Sequence, residues 1–391
     1  MGVLRSVAIL FYAAALLAVE GPNTVAAFDH YYNLEYDQAI TGFEAIAKAN
    51  PQAPEPHSSI AQCLLYREMF RNGALESELV SGNNSFLRRP KVNTSPETEK
   101  RFQTEVDRAM SLAQARLHKN PNDTEGLYAM GVANGLKSNY DFLVRKAWRD
   151  ALSEATAARK LHNRVTELDP SNYDARLVQG VHDYVVGSLP WLYKSLGFLA
   201  GFHGDKDLGI RTLEEVARKG RYNKSDAEIL LCALYRREGQ PRKAIPLLED
   251  VSKRYPRNYL LKLEQAQMYS AIGDNKNALA VLDRVEAAKS YNAPGYAQLP
   301  AEKIAYERAT IQFWHRDLDA ALENFKKVTA KPADLDLNTG VLAYMRQGQI
   351  YDLTNRHSLA VPRYEAAIKF APQSDAAKEC RRYIASPYNR P

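Results

Sequence analysis

The chain has 391 residues, of which 25% are charged and 45% hydrophobic, with a formal net charge of +6 and a pI near 8.9. That balance is ordinary for a soluble folded protein. Lys and Arg are dispersed among Asp and Glu, and the strongest basic cluster, Arg88, Arg89 and Lys91, is short and loop-like. A concentrated basic face of the kind that binds nucleic acid is therefore not expected, and no nucleic-acid partner is expected.

The first residues read as a secretory signal. Arg5 supplies a positive charge, Val7 to Val19 are continuously apolar, and Val25, Ala26 and Ala27 form a small-residue cleavage pattern. The mature chain would then start at Phe28, with residues 1–27 removed and 28–391 folded. The alternatives are an uncleaved anchor and a buried first helix. The apolar run is shorter than the roughly 20 residues that span a bilayer. Removal of 1–27 takes away Arg5 and Glu20 together, so the net charge stays at +6. The expected location is outside the cytoplasm, periplasmic or secreted.

The next strong signal is an internal period. Tyr235, Gly239, Ala244, Leu248, Val251 and Pro256 are followed by Tyr269, Gly273, Ala278, Leu282 and Val285, with Gly239 and Gly273 34 residues apart. Each copy reads as two helices joined by a tight turn. Gly accepts the left-handed conformation that ends the first helix. The small Ala244 and Ala278 lie early on the second helix, where a larger side chain would force the pair apart. Pro256 ends the second helix, because it lacks an N–H and disfavours helix for its predecessor.

Further copies appear along the chain: Ala39, Phe43 and Pro51; Gly131; Gly180; Gly204, Gly209, Leu213 and Val216; Ala321, Phe325 and Val328; and Gly348, Tyr351, Ala360, Tyr364, Ala367 and Pro372. Together these residues resemble the tetratricopeptide repeat (TPR) family over about residues 28 to 387, in an exported bacterial form. The resemblance implies an all-α fold, a right-handed superhelical α-solenoid of about seven or eight antiparallel helix pairs. It also implies a protein or peptide partner held in the concave groove.

Three stretches depart from the period. Residues 71–100 carry Gly, Asn, Ser and Pro and read as a long loop or insertion. Residues 286–300 contain Pro294, Gly295 and Pro300 and stretch the spacing from Ala278 to Ala321 to 43; the next spacing, from Ala321 to Ala360, is 39. One helix is expected to run from Asp141 to Leu168, about twice the usual length, with an Ala-rich stretch that suits it. Residues Ser374 to Ile384 read as a terminal capping helix with Lys378, Glu379, Arg381 and Arg382 toward water.

The third departure, 189–203, is aromatic and Gly-rich: Leu189-Pro190-Trp191, then Gly197 to Gly204 and Asp205. From 172 to 220 the chain is similar to a subset of tetratricopeptide proteins that includes larger eukaryotic members and bacterial exported relatives. Trp191, Tyr193, Phe198 and Phe202 are the candidate surface for an apolar ligand or partner. The competing reading is a filled elbow between superhelical segments.

No arrangement argues for an enzyme. GxGxxG, a P-loop lysine motif, HExxH and GxSxG are all absent from the sequence. His182 beside Asp183, and His203 near Asp205, are the nearest approaches to a proton-transfer pair. The plainer readings are an interior hydrogen bond for His182 and a helix cap for Asp205. No catalytic residue, cofactor or metal ligand is assigned. Cys63, Cys232 and Cys380 form no CxxC; Cys232 reads as a small buried residue, and one disulfide among the three stays open. Asn83, Asn93, Asn122 and Asn223 each begin an Asn-x-Ser/Thr sequence, a glycosylation signal only in a eukaryotic secretory host. The leading expectation is an exported scaffold for protein or peptide binding in the cell envelope. The second is a ligand-capturing accessory subunit of an envelope transport system, peripherally associated with it.

Overall fold

A computed structural model describes residues 22–75, 92–188, 204–332, 335 and 337–389. Among the described residues there are seventeen α-helices and no strand. They form two compact units, residues 1–256 and 257–391. In the first unit the helices are α1 (Pro22–Tyr32), α2 (Tyr36–Ala49), α3 (Glu55–Arg71), α4 (Pro96–Lys119), α5 (Thr124–Tyr140), α6 (Trp148–Leu168), α7 (Arg176–Gly187), α8 (Lys206–Lys219), α9 (Lys224–Arg237) and α10 (Pro241–Arg254). In the second they are α11 (Tyr259–Ala271), α12 (Asn275–Ser290), α13 (Ala301–Trp314), α14 (Leu318–Thr329), α15 (Leu337–Leu353), α16 (His357–Phe370) and α17 (Asp375–Ala385).

Each odd-numbered helix pairs with the even-numbered helix that follows, which leaves α17 as a cap on α15 and α16. First helices also pack on first helices of the next pair, α3 on α5, α11 on α13 and α13 on α15. This is the all-α architecture of tetratricopeptide-like antiparallel pairs that the period predicts.

The turn inside a pair repeats the same chemistry. Leu34, Gly239, Gly273, Arg316 and Asn355 have φ of 66°, 65°, 81°, 67° and 58°. The next N–H in each case closes back onto the preceding helix: Glu35 to His30 O at 2.9 Å, Gln240 to Tyr235 O at 2.7 Å, Asp274 to Tyr269 O at 2.9 Å, Asp317 to Gln312 O at 2.9 Å and Arg356 to Tyr351 O at 2.7 Å. These bonds satisfy carbonyls that a helix end leaves open. Gly239 and Gly273 are therefore two visible cases of a conformation that Leu34, Arg316 and Asn355 also adopt.

Small residues set how close the paired helices come. A methyl group added at Gly348 on α15 would lie 2.4 Å from the Tyr364 ring on α16, and one at Gly131 on α5 would lie 2.7 Å from His162 on α6. On the second helices Ala39, Ala244, Ala278, Ala321 and Ala360 are all fully buried. Phe43, Leu248, Leu282, Phe325 and Tyr364 follow one turn later and are buried too, as the period requires.

Three boundaries differ from the sequence reading. The long helix over Asp141 to Leu168 is two elements. Asp141–Arg145 is a π-helical turn, Lys146 has φ 58°, and the Ala147 N–H closes on Asp141 O at 2.8 Å. Helix α6 starts only at Trp148 because this turn reverses the chain between α5 and α6. In the insertion over 286–300, α12 continues to Ser290, so only residues 291–300 are irregular. Of residues 71–100, α4 begins at Pro96, capped by the Ser95 hydroxyl, while residues 76–91 lie outside the described residues.

The expected boundary between Ala27 and Phe28 falls inside α1, where both residues are buried; residues 1–21 lie outside the described residues. No helix among the described residues is long and apolar enough to cross a membrane. The terminal helix α17 is capped by the Ser374 hydroxyl, and Lys378, Arg381 and Arg382 are exposed on it. The three cysteines are buried free thiols. Burial raises the pKa of the Cys63 thiol and pushes that of Cys380 up to about 12.

Two outcomes follow from this packing. Ala244→Leu and Ala278→Leu should each lower unfolding stability by about 1–3 kcal/mol, because three heavy atoms must enter a closed contact; unchanged urea midpoints would show the register to be wrong. Arg316→Gly should raise stability by about 0.5–1 kcal/mol, since the left-handed cost to a non-Gly residue exceeds the extra chain entropy of Gly. A lowered midpoint would contradict this account of the turn.

Candidate functional site

The aromatic candidates Trp191, Tyr193, Phe198 and Phe202 lie outside the described residues, as does His203. The chain on either side of them is closely packed. A methyl at Gly187 would lie 2.2 Å from the Lys206 nitrogen, and one at Gly204 would lie 2.7 Å from the Gly187 nitrogen. The flanks of 189–203 are thus held against each other by glycines that permit backbone contact. Asp205 caps α8, its carboxylate accepting from the N–H groups of Asp207 at 2.8 Å and Leu208 at 3.0 Å. His182 is buried, 3.4 Å from Asp183 and 3.5 Å from the Arg159 guanidinium, which also pairs with Asp183 at 3.3 Å. This is the interior hydrogen-bond role.

The most developed polar site is one that the period did not reveal. It lies where first helices of unit 1 meet. The Asp174 carboxylate collects the backbone N–H groups of Arg221, Tyr222 and Asn223 at 3.1, 3.1 and 2.8 Å. That fixes the entry to α9. The Asn223 amide then donates to the Tyr128 hydroxyl on α5 and to Asp174 O, both at 2.9 Å. Asn223 is buried, whereas Asn93 and Asn122 are exposed; Asn83 lies outside the described residues.

One turn later, Asp226 is fully buried and accepts from the Tyr32 hydroxyl of α1 at 3.0 Å, a bond across 194 residues. The Tyr32 ring stacks on Tyr255 with centroids 4.6 Å apart. Its neighbour Tyr31 accepts from the Gln62 amide of α3 at 2.9 Å. Four helices, α1, α3, α5 and α9, are therefore joined through side chains in the interior of the unit.

Helix α3 carries a polar stripe that reaches this junction at Gln62. Glu55, Ser58, Ser59, Gln62 and Tyr66 lie within one face at helical spacing, and all are buried. The Glu55 carboxylate oxygens, the Ser58 and Ser59 hydroxyls, Gln62 Oε1 and Asp226 Oδ1 have no hydrogen-bond partner among the described residues. Loss of water raises the pKa of Glu55 above the usual carboxylate range. Loss of water, with the Asp174 charge in support and the Tyr32 bond opposing, pushes that of Asp226 up to about 7.

Elsewhere the titratable groups serve packing. His162 is held against Gly131 and edge-on to Tyr128 at 5.0 Å, and burial drives its pKa down to about 3, which keeps it neutral. In unit 2, the Asp352 carboxylate accepts from the Tyr364 hydroxyl at 2.7 Å and the Tyr388 N–H at 2.8 Å and meets His357 at 2.6 Å, fastening the end of the chain. No cluster of His, Cys, Asp and Glu among the described residues could hold a metal ion. On the surface of unit 2, Trp314 is 56% exposed. The Arg346 guanidinium sits 4.8 Å from its ring and 4.7 Å from that of Phe313. Arg346 bonds Gln349 at 2.7 Å.

Residues 190–331 match the family described as Iml2/Tetratricopeptide repeat protein 39. The inclusion body clearance protein iml2 of Sclerotinia sclerotiorum is 29% identical over a stretch covering 25% of this chain and 18% of that protein, so the match spans less than a fifth of the relative's length. Among solved structures, the human IFIT1 dimer with m7Gppp-AAAA is similar at 14% identity, with 93% of this chain and 82% of that chain covered and a TM-score of 0.43. Yeast Tom70 is similar at 12% identity, with 93% and 94% covered and a TM-score of 0.40.

The buried acid at position 226 gives a pH prediction. In the unfolded chain Asp226 ionises above about pH 4, whereas the folded protein keeps the proton until about pH 7. The folded state binds more protons in that window, so its stability falls as pH rises from about 4 to about 7 and stays lowered above. Asp226→Asn should remove this dependence. The gap between the two proteins should shift in favour of the variant by at most about 4 kcal/mol across the window. Urea midpoints that move in parallel for both would refute the assignment.

Proposed function

We propose that this chain is a scaffold that holds a protein or peptide partner on the faces formed by its helix pairs, and that it works outside the cytoplasm. The observation that carries the reading is the pairing itself. Stacked pairs with first helices packed on first helices present a continuous surface, and such arrays are used to bind extended partners. Two features support a contact role. The exposed Trp314 with its stacked Arg346 is the kind of aromatic and guanidinium surface that anchors partners. The interior of unit 1 has polar side chains with hydrogen-bonding capacity to spare.

Export rests on the apolar run Val7 to Val19 and the small-residue pattern before Phe28. Processing there would take Pro22–Ala27 from α1 and leave Phe28, Tyr31 and Tyr32. An alternative within the same location is a ligand-capturing accessory subunit of an envelope transport system, which rests on the aromatic segment 189–203.

Two measurements test the reading. Affinity capture with the full chain from an envelope fraction should return a protein partner, and Trp314→Ala should reduce its recovery several-fold while leaving helicity unchanged. Recovery of nothing beyond an unrelated control chain would overturn the scaffold role. Amino-terminal sequencing of exported material should find a start near Phe28. A soluble cytoplasmic pool that retains residues 1–27 would overturn export.

A further inference from the structure

We propose that the connection between α8 and α9, with Tyr173 and Arg176 beside it, is a docking surface for a short acidic segment of a partner protein. The inference deepens the scaffold reading and rests on it.

The first argument is charge. Arg218, Lys219, Arg221 and Lys224 fall within seven residues, and all four are exposed. They lie on described elements, whereas Arg88, Arg89 and Lys91 lie outside the described residues. Glu215 pairs with Lys219 at 3.0 Å and with Arg176, the first residue of α7, at 3.1 Å. The Lys219 bond, with the Arg176 and Arg218 charges in support, holds the Glu215 carboxyl below the usual carboxylate range. Three cations around one carboxylate leave positive charge in excess. The neighbouring Asp174 is buried, and its oxygens already accept from the N–H groups of Arg221, Tyr222 and Asn223. The C-terminus of α8 accounts for Arg218 and Lys219. It does not account for Lys224, which opens α9, where the helix dipole disfavours a cation. The acid nearest Lys224 is Glu228 at 4.0 Å, and Arg254 is bonded to it more closely.

The second argument is order. Lys219 donates to the Tyr173 hydroxyl at 3.1 Å and lies 4.6 Å from the centre of that ring, and the Arg176 guanidinium lies 5.0 Å from the same ring. The Arg221 guanidinium lies 5.1 Å from the Tyr222 ring. Contacts between cations and aromatic rings restrict long side chains that would otherwise sample many rotamers. The backbone is held as well. Asp174 gathers the N–H groups of 221–223, and a methyl group at Gly220 would lie 2.6 Å from Val216 O and 3.0 Å from Asp174 Oδ1. A surface ordered in advance loses less freedom when a partner binds.

The third argument selects the partner. Lys and Arg offer donors and no acceptor, and a guanidinium matches a carboxylate in shape as well as charge. Elsewhere on α8 to α10, Lys206 is paired with Glu238, Lys243 with Glu214 at 3.9 Å, and Arg254 with Glu228 and Asp250. A nucleic acid gains its affinity from many phosphate contacts in a row. A cluster gathered at one connection, with paired charges beyond it, matches instead a run of a few Asp or Glu side chains. Complementary charge of this kind speeds encounter and fixes register.

The test uses the full chain and a short fluorescein-labelled peptide of alternating Glu and Gly, with a Lys–Gly peptide and an oligouridylate of the same length as comparisons. The chain should bind the Glu–Gly peptide about tenfold more tightly than the Lys–Gly peptide, and less tightly as salt rises. Arg218→Glu and Lys224→Glu should each weaken that binding about fivefold or more at unchanged helicity, since both residues are exposed. Arg382→Glu on α17, exposed and equal in charge change, should leave it as it is. Equal affinity for the two peptides, or equal weakening by Arg382→Glu, would overturn the surface. Tighter binding of the oligouridylate, lost in the same variants, would overturn the acidic protein segment as its occupant. The unaltered chain gives a second readout: bound Glu–Gly peptide should slow acetylation of Lys219 and Lys224 but not of the exposed Lys378, and identical labelling with and without peptide would overturn the site. Affinity capture that returns nothing with the parent chain would remove the scaffold reading while the peptide titration stays readable. Capture that succeeds equally with Arg218→Glu and Lys224→Glu would remove this surface and leave the scaffold, so the two failures are distinguishable.

Discussion

The close approach of two helices at a small residue is the constraint on which this protein is built. Gly131 against His162 and Gly348 against Tyr364 leave no room for a methyl group. The fully buried Ala244 and Ala278 play the same part on second helices. Each pair so formed has more apolar surface than it can bury by itself. Stacking follows, and the left-handed turn within the pair fixes the entry of the second helix. The turn tolerates Leu34, Arg316 and Asn355 because the closing backbone bond and the burial of the pair outweigh a local cost of about 1–2 kcal/mol.

In unit 1 the stacking brings first helices together through polar groups. Asp174 gathers three backbone N–H groups, Asn223 bridges to Tyr128, and Asp226 meets Tyr32. Apolar contacts alone would let these helices slide; hydrogen bonds in a dry interior hold them in one arrangement, because each broken bond leaves a buried polar group without a partner. The same interior leaves Glu55, Gln62 and one oxygen of Asp226 unbonded.

The repeat is legible in the sequence because its signals are local. A left-handed turn favours Gly, a tight helix contact favours Ala or Gly, and a helix stop favours Pro, so Gly239, Ala244 and Pro256 announce themselves at a period of 34 that recurs at Gly273 and Ala278. The spacings of 43 and 39 between the alanines recur as the same spacings from Gly273 to Arg316 and on to Asn355, so the insertions lie outside the pair turns. Roles set by the nearest neighbours were also readable, among them Asp205 as a helix cap and Cys232 as a small buried residue. The break at Lys146 was not readable, because an Ala-rich helical pattern continues past it and the reversal is set by the packing of α5 on α6.

The inner site belonged to the tertiary structure. Tyr32 and Asp226 are 194 residues apart, and neither lies in a motif. Glu55, Ser58, Ser59 and Gln62 look like an ordinary solvated helix face, and only the folded unit buries them. Sequence alone determined the unit of construction, since propensity, turn chemistry and close packing act within a few residues. The partners of a buried carboxylate are fixed by how those units curve together, and that curvature sums many small contacts that no local pattern records.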